Sequence, residues 1–162
     1  IGGRTANATA RVMMDAYAVQ GLQPGQVAHL YAPNHLNRTS DYGVRFERGT
    51  TVDYADRRQA FISGTASIDN QGRVVAPSDI RLQTQRMWQN VQALLAEADM
   101  DFGHVVQLLV YLRDPSDYAM VSRLFARRFP ATPHVILWAP VCRPGWLIEM
   151  ECIAVKATDT DA

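Results

Sequence analysis

The sequence predicts an α+β domain: a six-stranded mixed sheet with two helices packed on one of its faces. Three observations carry this. The chain has 162 residues, 48% of them hydrophobic and 20% charged, which suits one compact domain with a sizeable core. Its apolar patterning is strand-like at first and mixed later, in the order β-β-β-α-β-α-β-β. Each helical segment has one apolar stripe, so each covers a single layer. The second sheet face has no helix of its own, and its apolar residues are expected to meet another copy of the chain.

The elements follow in order. Residues 44–48 alternate apolar and polar, stop at Gly49, and resume through Val52 and Tyr54, which reads as two strands or one bent strand. Residues 60–64 form a third strand ending at a glycine, and Asp69-Asn70-Gln71-Gly72 is a turn. Ser78 or Asp79 caps a helix running to about Ala98, with Ile80, Thr84, Met87, Val91, Leu94, Leu95 and Ala98 spaced by threes and fours. Residues 105–112 are apolar apart from Gln107, the pattern of a strand covered on both faces. Asp114-Pro115 supplies a cap and a first-turn proline. The helix after it places Tyr118, Val121, Leu124 and Phe125 on one face and stops before Pro130. Strands over about 134–141 and 146–155 close the domain as a hairpin joined by Arg143-Pro144-Gly145.

The two ends resemble each other. The run from Met13 to Val19 and the run from Glu149 to Val155 share the order Met, acid, small residue, bulky apolar residue, Ala, Val. We therefore expect residues 1–40 to be the remnant of a preceding repeat plus a connector, 41–157 the domain, and 158–162 a tail. A start at Ile1 fits a piece of a longer chain.

Composition narrows the function. Sixteen basic residues balance sixteen acidic ones, so charge gives no reason to expect nucleic acid or an anionic membrane as partner. No apolar run approaches the length that spans a bilayer. Cys142 and Cys152 are too few for a disulfide framework or a cysteine-built zinc site, and the four histidines show no metal-ligand spacing. There is no phosphate-binding loop and no nucleophile elbow. The expectation is a cytoplasmic protein with no cofactor and no metal. The Asn-x-Thr triplets at Asn7 and Asn37 have no secretory context and read as chance.

The closing hairpin is the most informative stretch. Side chains alternate along a strand, so Leu147, Glu149 and Glu151 share the face of Cys142, while Trp146, Ile148, Met150, Cys152 and Ala154 form an apolar face for the helices. A glutamate at the centre of a strand among apolar residues is partly desolvated, which raises its pKa and suits it to proton transfer. The alternative is that both glutamates face water or pair with arginines of a neighbouring subunit. Cys142 lacks the histidine that a thiolate nucleophile needs, and packing is the plainer role. Arg143 either forks onto a carboxylate or sits in solvent; fifteen of the sixteen basic residues are arginine, so one arginine says little. Ser63-Gly64-Thr65 is either a place where backbone amides meet a ligand or a plain turn.

Taken as an ordered set, Phe61-Ile62-Ser63-Gly64, Gln83-Thr84, Asn90-Val91, Tyr111-Leu112-Arg113-Asp114, Phe129-Pro130-Ala131 and the strand Ile148 to Ala154 resemble the Rid (YjgF) family, also labelled L-PSP endoribonuclease. The resemblance runs from about Tyr42 to Val155. It implies the chorismate-mutase-like fold, a trimer whose sheets form a central barrel, and ligand clefts between subunits. Many members hydrolyse enamines and imines with an arginine on the substrate carboxylate and a closing-strand glutamate on water. The glutamate maps to Glu149; the arginine position is Thr132. The family's Tyr-x-Gln-Gly becomes Phe46-Glu47-Arg48-Gly49. The chain therefore resembles a divergent branch without the deaminase arginine.

The segment Ala139 to Trp146 also resembles the C-terminal half of two-domain chorismatase-like proteins, in which a cysteine precedes the catalytic glutamate at the interval of Cys142 and Glu149. This resemblance implies Glu149 as catalytic acid or base, with Cys142, Arg143, Phe46, Arg48, Gly64 and Thr132 around the substrate. The expected function is a hydrolase of a small carboxylated metabolite. A non-catalytic metabolite-binding protein is the alternative, and an endoribonuclease ranks last. The expected partner is a second and third copy of the chain, or a pseudo-hexamer-like assembly if the full chain holds two repeats.

Overall fold

The computed structural model describes residues 9–10 and 14–158. Its elements are β1 (Val27–Leu30), β2 (Gly49–Asp53), β3 (Arg57–Ala66), α1 (Ile80–Glu97), β4 (Val105–Leu112), α2 (Tyr118–Arg128), β5 (His134–Trp138) and β6 (Ile148–Ala157). They build one mixed sheet of six strands in the order β1-β2-β3-β6-β4-β5. All neighbours are antiparallel except β4 and β5, which run parallel and are linked through α2.

Both helices obey their sequence signals. The Asp79 side chain accepts from Leu82 N–H at 2.9 Å, capping α1. Every residue of the expected α1 stripe is buried. In α2, Val121 and Phe125 are buried, and the Phe125 ring packs with those of Trp88 and Phe129, Trp88 and Phe125 lying 5.4 Å apart edge-on. Tyr118 departs from the expected face: it is the first residue of α2 and projects into solvent.

Three expectations are corrected. The first strand is β1, within the segment expected to be connector, and not residues 44–48. The apolar–polar alternation of 44–48 serves a loop: the Thr39 hydroxyl donates to Phe46 O at 2.9 Å and the Ser63 hydroxyl donates to Glu47 O at 2.6 Å. Residues 14–19 carry no strand, and Met14 and Tyr17 are exposed; Met13 and Asn7 lie outside the described residues. The closing hairpin does not exist either. β5 pairs with β4 through a crossover helix, β6 pairs with β3 and β4, and residues 139–147 travel irregularly from one to the other.

The face assignment along β6 nonetheless holds. Ile148, Met150, Cys152 and Ala154 are buried toward α1, together with Leu108, Val110 and Leu112 of β4 and Ala60 and Ile62 of β3. Burial pushes the Cys152 thiol up to about 12. The opposite face carries Glu149, Glu151, Leu109, Tyr111, Val135 and Leu137. β4 is therefore covered on one side only within this chain, and Val106 remains 48% exposed.

Candidate active site

Glu149 is the oddity of the open face: a glutamate only 5% exposed at the second position of β6. Its room comes from β3. The β3–β6 pairing slips between Ile62 and Thr65, and at the slip Gly64 lies so close that an added Cβ would stand 2.5 Å from Glu149 Oε1. Any larger residue there would push the carboxyl out of this position. Glu149 Oε2 is enclosed and has no hydrogen-bond partner among the described residues. Desolvation raises the Glu149 pKa; the neighbouring charge of Glu151 adds to that, and Arg48 opposes it.

Glu151, two residues on, is the contrast. Its Oε1 accepts a 2.9 Å hydrogen bond from the Tyr111 hydroxyl. Burial, then this bond, raises the pKa of Tyr111 and keeps it a donor. Two glutamates of one strand face thus differ: one is paired, one is unpaired and opens on a cleft.

That cleft has a volume of about 350 Å³. Glu149, Gly64 and Ala66 form its strand-borne part. One loop contributes Tyr42, Val44, Phe46 and Arg48; a second contributes Cys142, Arg143, Pro144 and Trp146. Arg48 is 3% exposed, and its guanidinium donates to both the backbone and side-chain oxygens of Asn37, the two Nη2 bonds being 3.0 Å each. It also lies over the Phe46 and Tyr42 rings at 5.3 and 5.6 Å. Burial lowers its pKa, with Tyr42 and Glu149 opposing the shift. Arg143 stacks on Tyr42 at 5.1 Å and Trp146 at 5.9 Å, and its guanidinium makes no hydrogen bond or ion pair among the described residues.

The irregular second loop is held by two side chains. Arg113, directly after β4, donates to the carbonyls of Trp146 (2.6 Å), Val141 (2.8 Å) and Arg143. Gln83 of α1, fully buried, donates to Gly145 O at 3.0 Å and accepts from Leu147 N–H at 3.0 Å. Five side-chain bonds from outside thus support a loop that lacks the strand pairing of a hairpin.

Of the site residues read from the sequence, Glu149, Cys142, Arg143, Phe46, Arg48 and Gly64 come together on this cleft. Thr132 does not: it lies in the loop between α2 and β5, where its N–H donates to Phe129 O. Cys142 reaches the cleft through the loop and not by facing Leu147 across a hairpin. Trp146, assigned to the helix-covered face, precedes β6 and lines the cleft. Tyr42, Asn37, Arg113 and Gln83 were missed. Only Gln83 had a signal, a polar residue at an inward position of the α1 stripe. Among the described residues no helix is long and apolar enough to cross a membrane, and no His, Cys, Asp and Glu cluster could hold a metal.

A mixed sheet with both helices on one side, and an acid-bearing cleft on the other, defines an α+β protein of the chorismate-mutase-like class. Residues 50–156 match the model of the family described as endoribonuclease L-PSP, and the chain belongs to that family, the Rid/YjgF proteins. A RutC family protein of Pyrococcus abyssi is 34% identical over 98 residues, covering 59% of this chain and 77% of its own. Among solved structures, yeast Mmf1 superposes with a TM-score of 0.68 at 17% identity, over 80% of this chain and 98% of its own. The Escherichia coli protein TdcF, solved with bound serine, gives a TM-score of 0.65 at 19% identity, over 80% and 98%.

Proposed function

We propose that this protein binds a small carboxylated metabolite in the Glu149 cleft and hydrolyses it, with Glu149 as the proton-transfer group and three copies assembled through the open sheet face. The observation that carries the reading is the buried carboxyl of Glu149, whose Oε2 has no hydrogen-bond partner among the described residues, on a cleft that two arginines also line. A raised pKa makes the Glu149 carboxyl easier to keep protonated than an exposed one, so that it can give a proton to a leaving oxygen or nitrogen and take one from the attacking water. Arg143, without a hydrogen bond or ion pair from its guanidinium among the described residues, supplies fork donors for a substrate carboxylate, with Arg48 as a second positive charge on the same cleft. Serine bound to TdcF agrees in size class with such a ligand.

Chorismatase-like ether hydrolysis is favoured over imine deamination, because Thr132 stands at the position of the deaminase arginine. The same observation favours, as second reading, a protein that binds the metabolite without turning it over. Zero net charge argues against RNA as substrate despite the family's label. The test is pyruvate release from chorismate. Glu149→Ala is expected to abolish release while sedimentation still reports a trimer. A fully active variant removes the proton-transfer role. Saturable binding with no product establishes the second reading.

A further inference from the structure

A second cavity of about 210 Å³ adjoins the cleft, and the two share Tyr42, Arg143 and Trp146. Those three are the stacked set centred on the Arg143 guanidinium, so the unpaired cation stands at the junction of two chambers. The chambers differ in chemistry. Toward Glu149 the walls include Val44, Phe46 and Ala66; on the other side, beside Ile68 and Gly72, they include the polar Asn37, Asp41, Asn70 and Gln71. The polar chamber is also a built one. Asp69 accepts from the backbone of Gln71 and Arg73 at 2.9 Å each, fixing the turn that presents Asn70 and Gln71. Gly72, at φ +74°, brings that turn against the Asn37 amide so closely that a Cβ would sit 2.8 Å from its nitrogen.

We propose that the ligand of this site is two-lobed. Its carboxylate is held by Arg143 at the junction, its apolar body points toward Glu149, and an uncharged hydrogen-bonding substituent occupies the polar chamber. Amides and hydroxyls suit that chamber because Asn70 and Gln71 offer both donors and acceptors, whereas a hydrocarbon there would displace their water without replacing its hydrogen bonds. The proposal rests on the reading of the cleft as a carboxylate site.

Two near-isosteric probes test it: N-benzoylleucine and N-benzoylasparagine, each with an aromatic lobe, a carboxylate and a branched side chain. Calorimetry on the wild-type chain is expected to show N-benzoylasparagine binding about tenfold more tightly, the effect of one or two well-made hydrogen bonds. In the Asn70→Ala/Gln71→Ala double variant, at the exposed tip of a turn, that ratio is expected to fall toward one. Equal affinities in the wild type, or a ratio unchanged in the variant, overturn the two-lobed ligand and leave the carboxylate site standing. Binding of neither probe overturns both.

Discussion

The two faces of this sheet are built from the same strands and obey different rules. On the helix-covered face, Ile148, Met150, Cys152 and Ala154 form a row with no charged member and are sealed by α1 within a single chain. On the open face, the intervening Glu149 and Glu151 sit among apolar residues that still meet water at Val106, Val135 and Leu137. The covered face is where stability is made; the open face gives some of it up, since Glu149 Oε2 is kept out of water there without a hydrogen-bond partner among the described residues. Neighbouring residues of one strand, Met150 and Glu149, therefore have opposite jobs.

Substitutions can break or sharpen that contrast. The largest effect belongs to the covered face: Met150→Ala deletes a fully buried side chain and is expected to cost about 2–5 kcal/mol in chemical denaturation. A cost near zero would mean that the covered face is not the sealed one. Next comes the strut of the open face. Arg113→Met removes the donor to three loop carbonyls and is expected to cost about 1–2 kcal/mol locally. Hydrogen exchange would read it as lost protection of the Trp146 and Leu147 amides with the α1 amides unchanged. Uniform loss across the chain would show that Arg113 holds the whole fold.

Glu149→Gln gives the smallest change and the most informative sign. A carboxyl whose folded pKa lies above its ordinary 4.5 favours folding when protonated. Its contribution is intact below that value and is lost as pH rises through the raised folded pKa. The variant and the wild type are thus expected to be equally stable near pH 4, with the variant gaining the advantage toward neutrality. Thermal denaturation at the two pH values measures this; a constant difference would place the unpaired acid elsewhere.

Periodicity explains how far the sequence could be read. A strand's period of two told which β6 residues look toward helices, and a stripe of threes and fours told which side of α1 is buried, because both are properties of a single segment. Pairing is a property of two segments. The parallel β4–β5 pair and the absent hairpin followed from the α2 crossover, which no residue of 139–147 records. β1 was missed because Val27, Ala28 and His29 are exposed on an edge and leave no alternation to see. Glu149 was legible as an acid in an apolar strand. Tyr42 and Asn37 were not, since each matters only through contact with an arginine distant from it or from the strands it serves.

The closeness of Gly64 to Glu149 has a mutational side. Every other amino acid brings a Cβ, and at this position that atom meets the tip of a flexible side chain rather than backbone. The glutamate can swing away at little energetic cost, and the strand can stay where it is. Variants at position 64 would accordingly melt, express and assemble much as the parent does while lacking the acid in its place. A survey that scores variants by stability would pass them, and only an assay of the cleft would find the damage.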